Sequence, residues 1–146
     1  MSGAPSSRWW LVRHGPVPCP QGRIHGQLDV ACDVSDHEDI RQLAGRLPSQ
    51  ATLVESGLIR CRQTSGALEA AGLALPPGAM ERLSLALGER DILAVVHAGT
   101  IRAALALALG LEPAQALRFA VQPLSLTRVD RISAEWRVEC VNVTAW

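Results

Sequence analysis

Two histidines in this chain each stand directly behind a short apolar run. Trp9-Trp10-Leu11-Val12 leads through Arg13 to His14, and Ile92 to Val96 leads to His97. A second arginine, Arg60, sits inside Ser-Gly-Leu-Ile-Arg-Cys-Arg-Gln-Thr, residues 56–64. A neutral imidazole can attack phosphorus, and a guanidinium is a planar fork of donors matched to phosphate oxygens. Positive charge around the pair stabilises the phosphoryl transition state. These residue types suit phosphoryl chemistry if the chain brings the three segments together. Taken singly, each has a plainer reading. His14 could be a loop histidine at a strand end, His97 a hydrogen-bonded core histidine, and Arg60 with Arg62 a solvated helix start. Cys61, beside Arg60, could have a lowered pKa. A thiol phosphatase, however, would need a phosphate-cradling loop that the sequence lacks.

The elements around these residues follow from hydrophobic period. Trp9 to Val12, Thr52 to Glu55 and Ile92 to Val96 read as strands, and Leu124 to Asp130 and Trp136 to Asn142 as a hairpin around 131–135. Ser35 to Leu47 repeats Ile40, Leu43, Ala44 and Leu47 at helical spacing, with Ser35 and Glu38 forming a capping box. Ile59 to Gly72 reads as a second helix with Ala67, Leu68 and Ala71 on one face. Glu81 to Gly88, Thr100 to Leu109 and Pro113 to Phe119 read as further helical pieces. Strands alternating with helices predict an α/β fold, a three-layer α/β/α sandwich with a mainly parallel sheet and a C-terminal antiparallel hairpin. In such a sheet His14 and His97 leave adjacent strands at the carboxyl edge, where functional loops gather.

Composition narrows the partners. The chain has 146 residues, 48% hydrophobic, which suits one domain spanning 1–146. Lys plus Arg equals Asp plus Glu at 14 each, so no overall field draws it to nucleic acid or an anionic membrane, and any anion site is local. Cys19, Cys32, Cys61 and Cys140 are scattered, without zinc-site or disulfide spacing. Met1 to Ser7 is small and polar, neither a signal peptide nor a span, and Arg102 and Glu112 bracket the apolar Leu105 to Leu111 stretch too closely for a membrane helix. A cytoplasmic location follows as the expectation. Trp9, Trp10 and Trp136 read as packing residues and His25 as an exposed loop histidine. Thr100 reads as a helix cap. The sheet edge near the hairpin leaves room for a homodimer.

Three segments in order carry a family resemblance. Leu11-Val12-Arg13-His14-Gly15, the S-x-L-x-R-x-x-x-T segment from Ser56 to Thr64, and Val95-Val96-His97-Ala98-Gly99 resemble the motifs of the histidine phosphatase (phosphoglycerate mutase-like) superfamily. Gly26-Gln27-Leu28-Asp29-Val30 is similar to a loop of α-ribazole phosphatase-like members. The likeness runs from Trp10 to about Asp130. It implies that His14 is the nucleophile that becomes phosphohistidine, and that Arg13 and Arg60 hold the phosphoryl oxygens. His97 would donate to the same group, and Ala98 at the start of the next helix would join His14, Arg60, Arg13 and His97 in binding phosphate. Hydrolysis by water then needs no metal or organic cofactor. His14 would present one nitrogen to phosphorus while a hydrogen bond, expected from a backbone carbonyl, fixes the other.

One departure stands out. Members carry, between the second helix and the second histidine motif, an insertion whose glutamate protonates the leaving group. Here only residues 72–91 separate the two, a shortened lid centred on 73–81. Either the acid has moved, the protein is impaired, or the chain lacks residues. Glu81 is the nearest carboxylate by position, and loss of a positioned acid costs about 10²- to 10⁴-fold in rate. The sequence therefore points to a phosphomonoesterase acting on a small phosphorylated metabolite. The alternative is a phosphate-binding pseudophosphatase.

Overall fold

The computed structural model describes residues 6–18, 28–74 and 90–144. In chain order the elements are β1 (Ser6–Arg13), α1 (His37–Arg46), β2 (Thr52–Glu55), α2 (Ile59–Ala70), β3 (Arg90–Val96), α3 (Ala98–Leu109), α4 (Pro113–Ala116), β4 (Leu126–Ile132) and β5 (Glu135–Val143). The strands form one sheet in the order β2-β3-β1-β4-β5. β2, β3 and β1 run parallel, and β4 and β5 add an antiparallel pair beside β1. The α/β expectation with its C-terminal hairpin holds. The Glu81 to Gly88 helix lies outside the described residues. Among the described residues no helix is long and apolar enough to cross a membrane.

Alternation along the central strands makes two cores. On β1 and β3, Val12, Leu93 and Val95 face one side, where they pack with Ile40 and Leu43 of α1 and Cys61 and Leu68 of α2. Leu11, Ala94 and Val96 face the other, against Ile101 and Leu105 of α3. Strands covered on both faces must be apolar at every position, which is why Ile92 to Val96 reads as an unbroken run. The same period of two continues past the strand ends. It sends Arg13 toward the α3 side and His14 and His97 toward the α2 side.

Several boundaries differ from the sequence reading, and three of them have a clear local reason. Asp33 Oδ1 accepts the Ser35 N–H at 2.8 Å and keeps Ser35 in the preceding turn. The cap of α1 is therefore Asp36, which accepts from Asp39 N at 3.1 Å, and Glu38 turns outward to Gln42 at 2.6 Å. Leu124 has φ +59°, outside the extended region of a regular strand, and its N–H donates to Arg13 O at 3.0 Å. β4 consequently begins two residues later than expected. The hairpin turn is the short Ser133-Ala134 link, with Ser133 at φ +57°.

Candidate active site

The carboxyl ends of β1, β3 and β2 lie side by side, so Arg13-His14, His97 and Ser56 come out at one edge. Backbone pairing continues one residue beyond β1, His14 N donating to Val96 O at 3.1 Å. This brings the two imidazoles together, with ring centroids 5.2 Å apart and planes at 61°.

His14 is only 6% exposed, and its Nδ1 lies 2.7 Å from Gly15 O. A carbonyl can only accept, so Nδ1 carries the proton and the neutral ring keeps its lone pair on Nε2. Burial, chiefly, pushes the His14 pKa down to about 4. The Gly15 carbonyl opposes this, while Arg13, His97 and Arg60 add to it. At neutral pH the residue is therefore an uncharged imidazole with one free nitrogen, the form a nucleophile needs.

Gly15 holds that geometry from below. Its N–H donates to Thr64 Oγ1 at 2.9 Å, and a Cβ built on it would lie 2.8 Å from Asp33 O and 3.3 Å from Cys32 Sγ. Backbone cannot give way as a flexible side chain does. Gly15→Ala is expected to cost about 1–3 kcal/mol of stability through overpacking, read as a lower urea midpoint at unchanged slope. An unchanged midpoint would show that the 32–34 loop yields freely.

Arg60 reaches the site from the first turn of α2 and is 3% exposed. Its Nη1 donates to Leu28 O at 2.6 Å. Leu58, the N-cap of α2, offers no side-chain cap. Asp29 supplies one from a distant loop, its Oδ1 accepting Ile59 N at 2.7 Å, which places a carboxylate at the positive end of the helix. Gln63 Oε1 accepts Cys32 N at 2.8 Å, so the 28–32 loop is tied to α2 at both ends. Arg13 is held by Nη1 donating to Val121 O at 2.6 Å, and its buried Nε has no hydrogen-bond partner.

His97 is the N-cap of α3 and makes no side-chain cap bond. Its Nε2 lies 2.8 Å from Ser56 Oγ and 3.6 Å from Cys61 Sγ, and the Ser56 hydroxyl donates to that sulfur at 3.2 Å. Burial first, then Arg60 and Arg13, lower the His97 pKa. Ala98 opens α3, and its amide and those of Gly99 and Thr100 point out of the helix start, a position that favours an anion. Thr100 makes no cap bond.

The structure thus gathers Arg13, His14, Arg60, His97 and the Ala98 amide end at one edge. Glu81 lies outside the described residues. Cys61 departs from the lowered pKa considered above. Burial raises it, because the desolvation of a thiolate outweighs the help from Ser56 and Arg60. Ser56 and Asp29 were not singled out by residue type, although both fall within the quoted motif segments.

The model of the histidine phosphatase superfamily (branch 1) matches residues 77–144, and the fold is that of solved phosphatases. An Escherichia coli protein assigned as an α-ribazole-5′-phosphate phosphatase superposes with TM-score 0.73 at 16% identity, over 95% of this chain and 97% of that one. The mycobacterial glucosyl-3-phosphoglycerate phosphatase gives 0.68 at 20% identity, over 95% and 100%. The phosphoserine phosphatase of Entamoeba histolytica gives 0.69 at 14%, over 93% and 96%. At these identities the likeness is one of fold. No curated protein sequence matches this chain.

Proposed function

We propose that this chain is a phosphomonoester hydrolase that works without a metal, through a phosphohistidine at His14, on a small phosphorylated metabolite. The observation that carries the reading is the state of His14: buried, neutral, tied at Nδ1 to Gly15 O, and surrounded by the charge of Arg13 and Arg60. Nε2 attacks phosphorus and the bond to the leaving oxygen breaks. Water then attacks phosphorus, the P–N bond breaks, and phosphate departs. Arg13, Arg60, His97 and the Ala98 amide neutralise the equatorial oxygens in both steps. Glu81 is the carboxylate the sequence offers for protonating the leaving oxygen. Cys32, Cys61 and Cys140 are all free thiols, which fits a cytoplasmic setting.

One observation favours a second reading. The charges that act on the two imidazoles, in either direction, are those of the arginines and, at His14, of His97, and no carboxylate is among them. A protein that binds phosphate and does not turn it over would have this arrangement. Hydrolysis of p-nitrophenyl phosphate in excess chelator separates the two, because a good leaving group needs little acid. The expected result is chelator-resistant turnover with a base-stable, acid-labile phosphoprotein. Phosphate binding without turnover would replace the hydrolase with the pseudophosphatase.

A further inference from the structure

The hydrogen bonds around His97 fix its protonation as well as its position. Ser56 Oγ has one hydrogen, and it goes to Cys61 Sγ at 3.2 Å. Toward His97 Nε2, 2.8 Å away, the same oxygen can then only accept. Leu58 N also donates to it, at 3.4 Å, so the hydroxyl is complete with one hydrogen given and two accepted. Cys61 Sγ, 3.6 Å from Nε2, is a second, weaker acceptor on that side of the ring. Nε2 therefore carries a proton.

One polar atom of the ring remains. Among the described residues Nδ1 makes no hydrogen bond, and the side chain gives none to the start of α3. The groups facing the ring are His14 and Arg13 from the end of β1 and Cys61 and Arg60 from α2. No carboxylate acts on it, and burial, Arg60 and Arg13 all favour its neutral form. A neutral ring with its proton on Nε2 has a lone pair on Nδ1, and a lone pair cannot donate to an anion.

We propose that Ser56 is a positioning residue that holds the proton of His97 on Nε2, so that a tetrahedral dianion binds only together with a second proton on Nδ1. The inference rests on the phosphoryl site proposed above and makes its occupancy depend on pH. Neutral imidazole, dianion and one proton from solvent combine into an imidazolium whose Nε2–H stays on Ser56 and whose Nδ1–H donates to an anion oxygen. Moving the existing proton to Nδ1 instead would break the bond to Ser56 and turn a lone pair toward two acceptors, Ser56 Oγ and Cys61 Sγ. Because binding and proton uptake are linked, affinity for the anion falls as the pH rises.

The test uses sulfate, which stays a dianion through the neutral range and brings no proton of its own. Long-range proton–nitrogen NMR spectra show which imidazole nitrogens are protonated, and His97→Gln identifies the His97 signals. At roughly pH 7 the wild type is expected to show His97 neutral with its proton on Nε2, and protonated at both nitrogens with sulfate bound. The sulfate Kd is expected to rise about five- to tenfold per pH unit across the neutral range. In Ser56→Ala the Nε2 proton loses its acceptor. There the sulfate-bound ring is expected to be neutral with its proton on Nδ1, and Kd is expected to rise by less than about twofold per pH unit. Ser56→Thr keeps the hydroxyl and is expected to restore both wild-type readings. A free wild-type ring protonated on Nδ1 overturns the assignment. A sulfate-bound wild-type ring that stays neutral does the same, and so does an equal pH slope in Ser56→Ala. The free-ring tautomer is read without any anion, so its failure is distinct from failure of the phosphoryl site, which a wild type binding neither sulfate nor phosphate would show and which would take the assignment with it.

Discussion

His14→Ala is expected to lower kcat/KM for p-nitrophenyl phosphate by at least about a thousandfold, because a removed nucleophile takes the covalent route with it. Phosphate binding is expected to survive, since Arg13 is held by Val121 O and Arg60 by Leu28 O, neither bond involving His14. The fold is also expected to survive, because among the described residues the only side-chain hydrogen bond of His14 runs to the adjacent Gly15. The measurement is a side-by-side assay in chelator, with phosphate titrated by calorimetry on both proteins. Loss of turnover with phosphate binding retained places His14 on the reacting phosphorus. A variant within tenfold of wild type would mean that water attacks directly and His14 only lines the site. Loss of binding together with turnover would mean that the imidazole serves the arrangement of the arginines.

The parts of this molecule legible in its sequence are those governed by short-range patterns. β1 and β3 show as apolar runs because both faces of each strand are buried, and the convergence of His14 with His97 follows once the two strands are parallel neighbours. α2 was harder to read. Its buried face includes Arg60, Cys61, Thr64 and Ser65 as well as Leu68, so apolar period picks out Leu68 and misses the residues that face the site. Thr64 is buried because its hydroxyl has work on both sides, accepting from Gly15 N and donating to Arg60 O. The contacts that fix the histidines and arginines are long-range. Ser56 and His97 are 41 residues apart, and Arg13 and Val121 are 108 apart. No local rule reports them. The seats of Arg13 and Arg102 were hidden for the same reason, since they depend on where the Val121 and Phe119 carbonyls lie after α4. The cap of α1 shows a smaller version of the problem: Ser35 and Asp36 are both good caps, and only the Asp33 turn decides between them.

The pH dependence of stability is expected to carry the signature of His14. Its folded pKa is about 4, against about 6.5 for an unperturbed imidazole, so the unfolded chain takes up a proton first as the pH falls. The neutral, buried ring therefore contributes its full stability above roughly pH 6.5, and that contribution is lost progressively down to about pH 4. A shift of about 2.5 units corresponds to about 3 kcal/mol at most, a figure that applies because the side chain is nearly inaccessible to water. His97 is shifted in the same direction and steepens the fall. Urea midpoints at roughly pH 7, 5 and 4 for wild type and His14→Ala read this directly: wild type is expected to fall more steeply than the variant, which keeps only the His97 share and the background of the carboxylates. Parallel curves would show that His14 is solvated and titrates normally, and the argument for a neutral nucleophile at acid pH would go with it. Bound phosphate works against the same shift. Its negative charge offsets Arg13 and Arg60, which raises both histidine pKa values, so phosphate is expected to stabilise the protein more at pH 5 than at pH 7, as far as the ligand keeps its charge. The acid limb of kcat/KM follows from the same physics. An imidazole held neutral down to about pH 4 keeps attacking phosphorus well below the pH at which a solvated histidine would have been protonated.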